Sequence, residues 1–307
     1  MSRWQRTRID VADSSGFDLW RLDSGVPGPR VVVLGGVHGD ETEGVLAAGR
    51  LTSMPLDLGR GVLDVVPVCH EAAFAVDSRT SPRDGGNLAR VFPGDPGGEP
   101  TERLAWHLTE HVLAGADLLI DLHTSGQSYD MPFLAGFRND ERDPDRLGER
   151  AAAAVGADFL WHHPERSEGR TLSVVDVGIY LECPGGGPAD LTYVERYTTG
   201  VTRALGEAGI LNEPVSASPR ASPIRVTGGG NLDQDMASVA HDGVFVHTVG
   251  RGDAVEAGQP LGTVVNVRGE HLEELAAATS GYVMAVKRRS RVRAGEMVAL
   301  VARETEA

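Results

Sequence analysis

The chain has 307 residues, 41% of them hydrophobic and 24% charged, which suits one large core or a catalytic domain with a small appended one. A formal net charge of −15 repels phosphate backbones and anionic membrane surfaces, so neither nucleic acid nor membrane is an expected partner. Lys287 is the single lysine, so any anionic ligand must be met by arginine forks. No apolar run approaches the ~20 residues that span a bilayer. The opening stretch MSRWQRTRIDVADSSGFDLW has no apolar signal core, and the expected location is cytoplasmic. Cys69 and Cys183 lack the spacing of a disulfide framework or a CxxC site and read as buried thiols.

In chain order, short β-branched runs alternate with helical patterns. RVVVLGG (30–36) reads as a buried strand and 41–52 as the helix after it. GVLDVVPV (61–68) is the second strand. Residues 71–98 are dense in Gly, Pro, Asp and Arg and read as a long ordered loop, the kind that carries function. Pro100 opens a helix expected over 101–114. ADLLIDLH (116–123) is the third strand, 144–155 an alanine-rich helix, GIYLEC (178–183) the fourth strand and 189–208 the last long helix. This alternation predicts an α/β sandwich around a largely parallel sheet. The texture changes near residue 216, where SASPRASPIRVTGGG is linker-like. Two glycine-broken units follow, GVFVHTVGRGDAVEAGQPLGTVVNV and SGYVMAVKRRSRVRAGEMVALVA, a weak repeat that predicts a small all-β domain. The domains expected are therefore 1–215 and 222–307.

Four places carry chemistry. In GGVHGDE, His38 and Glu41 stand at the mouth of a buried strand, where α/β sites form and where zinc takes imidazole and carboxylate ligands. His123 ends the third strand and is the best third ligand. Asp121 shares its face and could orient the imidazole from behind. Glu182 ends the fourth strand before CPGGG, placed to act as general base. His107 and His111 lie at i, i+4 but lack the glutamate and third ligand of a zinc helix, and read as surface or half-buried. His162 and His163 sit in WHHPE, read as an ordinary loop with pocket lining as the alternative.

GGVHGDE, SPRDGGNLARVFPGDP, DLHTSG and LECPGG, in this order and spacing, resemble the succinylglutamate desuccinylase/aspartoacylase family over residues 30–200. The resemblance implies a zinc carboxypeptidase-like α/β/α sandwich with a small C-terminal all-β, barrel-like domain. It implies one zinc ion per chain on His38, Glu41 and His123, with Glu182 as the catalytic base. It implies that Arg79 polarises the scissile carbonyl and that Arg90 grips a substrate carboxylate. Many members read Asn-Arg where this chain has Ala89-Arg90; either Asn87 stands in for the asparagine contact or the anionic end of the substrate is held differently. The implied activity removes an acetyl- or succinyl-class N-acyl group from a small amino-acid-like amine, in a chain left free to form a homo-oligomer. Two readings compete: carboxypeptidase-like hydrolysis of a short peptide, and a catalytically dead metal-binding protein. The C-terminal repeat also resembles biotinyl/lipoyl barrels, but residues 264–278 hold no lysine to modify, so a carrier role is not expected.

Overall fold

The computed structural model describes residues 3–12, 16–213, 222–229, 232 and 236–305. The elements of the first two-thirds are β1 (Gln5–Ile9), β2 (Phe17–Asp23), β3 (Arg30–Gly35), α1 (Thr42–Leu51), β4 (Val62–Val66), α2 (Glu71–Phe74), α3 (Pro100–Leu108), β5 (Leu118–Leu122), β6 (Tyr129–Asp130), β7 (Leu134–Phe137), α4 (Leu147–Val155), β8 (Phe159–His162), β9 (Gly178–Glu182) and α5 (Leu191–Glu207). After these come β10 (Ile224–Thr227), β11 (Ala237–Ser238), β12 (Gly243–His247), β13 (Ala254–Val255), β14 (Pro260–Val265), β15 (His271–Ala276), β16 (Gly281–Lys287), β17 (Arg291–Val292) and β18 (Met297–Glu304).

The heart of the large sheet is β4-β3-β5-β9, all parallel. These strands read as unbroken apolar runs because both faces are covered. Along β3, Val31 and Val33 face α1, α4 and α5, while Val32 and Leu34 face α3. Burying each such side chain contributes about 1.5–3 kcal/mol. Away from the heart the sheet is mixed: β2 is antiparallel to β4, and β7 is antiparallel to β9. The fold is a mixed α/β sandwich with a separate C-terminal sheet, β15-β14-β12-β17. No helix among the described residues is long and apolar enough to cross a membrane.

Two local readings change. The helix expected over 101–114 closes at Leu108, and 109–113 widens into a π turn. Its start holds firmly, because Glu99 and Glu102 cap it reciprocally ahead of Pro100. The stretch that reads as linker contains β10, which pairs parallel with β8 and antiparallel with β18. A four-residue strand flanked by glycine and proline carries too short a pattern to stand out from a linker. The large sheet therefore runs without a break into C-terminal strands. The expected boundary at residue 215, and the linker as far as 221, lie outside the described residues.

The two C-terminal units share one element order, long strand, short strand, long strand. Each short strand pairs with the other unit: β13 with β16, and β17 with β12. Phe245, Leu261, Val283 and Val298 fill the shared core. Further back, β6 pairs with β16, and Asp130 receives Arg251 at 2.6 Å and Arg288 at 3.1 Å. The loop that leaves β5 is thereby tied to the C-terminal strands of the large sheet.

Candidate metal and hydrolytic site

β3, β5 and β9 are adjacent and parallel, so their carboxyl ends open on one edge of the sheet. His38, His123 and Glu182 leave from those ends. Gly36, at φ +60°, turns the chain after β3 in a conformation that costs an L-residue energy. Glu41 occupies the cap position of α1, yet its carboxylate makes no cap bond. Instead Oε1 lies 2.7 Å from His38 Nδ1, and Oε2 lies 2.9 Å from His123 Nδ1 and accepts from Thr124 N at 3.1 Å. His38, Glu41 and His123 are buried, and their ligand atoms lie within 4.8 Å of one another.

The far side of each ring has its own oxygen. His38 Nε2 lies 3.1 Å from Asn87 Oδ1, and His123 Nε2 lies 2.9 Å from Asp121 Oδ2. An imidazole that donates from Nε2 keeps its Nδ1 lone pair free. Both rings therefore aim Nδ1 at the Glu41 carboxylate. Two imidazole nitrogens and a carboxylate converging in this way are a donor set that fits zinc or a similar divalent ion. Asp121 is itself held by Thr171 Oγ1 at 2.5 Å, and the His123 carbonyl accepts from the buried Tyr197 hydroxyl at 2.5 Å.

Burial, joined by the charge of Arg79, lowers His38 to about 4. Burial opposes ionisation of Glu41, but His38 and His123 outweigh it and hold the carboxyl below its usual range. Glu182 is different. Burial, with Glu41 and Asp121 nearby, pushes its carboxyl well above the usual range, against the pull of His123 and Arg79. Its Oε2 is buried and has no hydrogen-bond partner among the described residues.

Arg79 reaches in from the loop after α2. Its Nη1 lies 3.2 Å from both Glu41 Oε1 and His38 Nδ1. Arg90 also lines the cavity; it donates to the Ala89 carbonyl at 2.9 Å and to the Leu232 carbonyl at 3.3 Å. Asn87 is placed otherwise than a substrate contact. Its amide oxygen meets His38 and accepts from Ala89 N at 3.0 Å, and the side chain does not line the cavity. The physical reason is the short turn at 88–90, which needs a cap and takes it from Asn87.

These groups share one end of a cavity of about 130 Å³. Its other end is lined by Met131, Phe137, Trp161, His163, Arg170 and Tyr180. His162 belongs to β8 rather than to a loop, and His163, just after it, faces the cavity, which corrects the loop reading of WHHPE. Tyr180 and Arg170 were not singled out in the sequence. Tyr180 was within reach, since it lies two residues before Glu182 on the same strand face. His107 and His111 stack at 5.3 Å away from this site.

Residues 27–208 match the model of the succinylglutamate desuccinylase/aspartoacylase catalytic domain. N-alpha-acetyl-L-2,4-diaminobutyric acid deacetylase of Halomonas elongata is 29% identical over 91% of this chain and 83% of its own. The product-bound ectoine utilization protein EutE (DoeB) of Ruegeria pomeroyi superposes with a TM-score of 0.84 at 27% identity, covering 99% of this chain and 95% of that one. A succinylglutamate desuccinylase from Silicibacter sp. TM1040 gives 0.83 at 26% identity, again over 99% and 95%. The catalytic-domain match spans more than half of the sequence, and the chain belongs to the succinylglutamate desuccinylase/aspartoacylase family.

Proposed function

We propose that the protein is a zinc-dependent N-deacylase that frees a small amino acid, with an N-acetylated diamino acid as the substrate class suggested by the Halomonas relative. The observation that carries this reading is the convergence of His38, Glu41 and His123 beside Glu182, whose Oε2 has no partner among the described residues, at one end of a cavity. His38 Nδ1, Glu41 and His123 Nδ1 would hold the ion. When bound, zinc supplies Lewis acidity, polarising a carbonyl and lowering the pKa of water toward ~7. Asn87 and Asp121 fix the two imidazoles in the tautomer that binding needs.

Glu182 Oε2 takes the proton of the attacking water and later returns it to the leaving nitrogen. Its raised affinity for a proton, caused by burial, suits a group that must hold that proton between the two steps. Arg79 donates toward the oxygen on which negative charge develops, a contribution that grows in the transition state. Arg90 meets the anionic end of the substrate.

The test is turnover by the zinc-loaded protein on N-acetyl amino acids, N-succinyl amino acids and dipeptides, scored as released amine. Release from N-acetyl diamino acids above the other sets is the expected outcome. Dipeptide cleavage alone would replace the reading with a peptidase, and no release by the zinc-bound protein would leave a metal-binding role.

A further inference from the structure

We infer that Tyr180 and His163 form a substrate anchor in which the Tyr180 hydroxyl donates to an oxygen of the bound acyl amino acid and His163 fixes the phenol; the inference rests on the deacylase reading above. Tyr180 shares a strand face with Glu182, so it extends the reaction end of the cavity into the recognition end. Its cross-strand neighbour on β7 is Gly136. A Cβ at that glycine would lie 1.9 Å from Tyr180 Cε1, so the ring rests on bare backbone that only glycine leaves open. The phenolic oxygen then reaches His163 Nε2 at 2.7 Å.

His163 is held in turn. Its backbone N–H donates to the Phe137 carbonyl at 2.9 Å. Its ring lies tilted against Trp161 at 4.9 Å, and Trp161 Nε1 donates to the Gly228 carbonyl at 3.0 Å. Trp161 belongs to a buried cluster against which Tyr180 also packs, and both Tyr180 and His163 line the cavity.

In the proposed anchor the hydrogen bond runs from the imidazole to the phenol, one of the two tautomers that the 2.7 Å contact admits. Burial and the nearby charge of Arg170 lower His163 to about 3, so the imidazole is uncharged at neutral pH. Burial pushes the Tyr180 phenol upward, so it keeps its proton. A phenol has one hydrogen and two lone pairs. With His163 Nε2–H donating to Tyr180 Oη, the phenolic hydrogen is directed into the cavity. A donated hydrogen needs an acceptor, so the atom it meets is a carboxylate or carbonyl oxygen, in a cavity lined by Arg79, Arg90, Arg138 and Arg170 as well as by Asp121, Glu165 and Glu182.

The experiment measures equilibrium binding of N-acetyl-L-2,4-diaminobutyrate to full-length, zinc-loaded Glu182→Gln protein, which binds without turnover. Adding Tyr180→Phe should weaken binding about tenfold, with thermal midpoint and zinc content unchanged. His163→Gln, which keeps an N–H donor, should retain most of the affinity, while His163→Ala should lose as much as Tyr180→Phe. Equal affinity with and without the Tyr180 hydroxyl, no binding by the parent, or a loss that tracks a fall in zinc content or thermal midpoint would overturn the inference. Wild-type protein that fails to turn over, beside binding that depends on Tyr180, would break the deacylase reading and leave the anchor standing.

Discussion

The two ends of the cavity are built in different ways. At the reaction end, His38, His123 and Glu182 sit at the ends of three adjacent parallel strands, and the ladder β3-β5-β9 sets their spacing. At the recognition end, Arg90 and His163 come from segments outside the central strands, held through backbone carbonyls and a ring. A ladder is shared by many hydrogen bonds and resists change at any one of them. A loop contact stands on two or three partners and can be traded for another. Chemistry common to a family belongs on the first kind of support, and substrate preference on the second.

That contrast can be broken experimentally. The largest effect is expected from His123→Ala, which removes a ligand from the ladder end. Zinc stoichiometry measured by atomic absorption should fall from one toward zero and turnover with it; retained stoichiometric zinc would mean that the ion sits elsewhere. Glu182→Gln comes next. Zinc should stay and kcat should fall by roughly 10²–10⁴-fold, the usual range for a lost general base. Wild-type kcat in that variant, with zinc intact, would remove Glu182 from the mechanism. Asn87→Ala sharpens the comparison most finely, because its side chain is a loop contact that serves the ladder end. The expected result is a zinc affinity about 10-fold weaker in chelator competition, with KM at saturating zinc unchanged. A raised KM with unaltered zinc affinity would return Asn87 to the substrate side.

The same contrast explains what was legible beforehand. His123 and Glu182 were readable because a polar residue at the end of a doubly buried apolar strand is costly without a purpose, and His38 and Glu41 because they follow such a strand through a glycine turn. Asp121 stood out for the same reason, and it lies on His123 Nε2 as an orienting group would. The parallel heart of the sheet was readable from its continuous Val, Ile and Leu runs. β1 was not, since QRTRI is an exposed, polar edge strand with no apolar alternation. β7 and β8 were missed because four-residue strands between loops leave too short a pattern. His163 was noticed without its role, as nothing local in WHHPE says which way an imidazole turns. Gly136 was invisible as a feature of recognition, because its importance lies in a ring that arrives from another strand.

β10 has a consequence for how the molecule can be divided. It lies between β8 and β18, so the edge of the catalytic portion is sealed by a strand that the chain supplies only after residue 222. Cutting the chain at the compositional break would strip β8 of that neighbour and uncover a row of unsatisfied amides in Phe159–His162, a template for pairing with any passing strand. The crossed short strands of the C-terminal units impose the same condition on that side, because neither unit keeps its edge without the other. The protein is thus written in two textures whose halves hold a common edge.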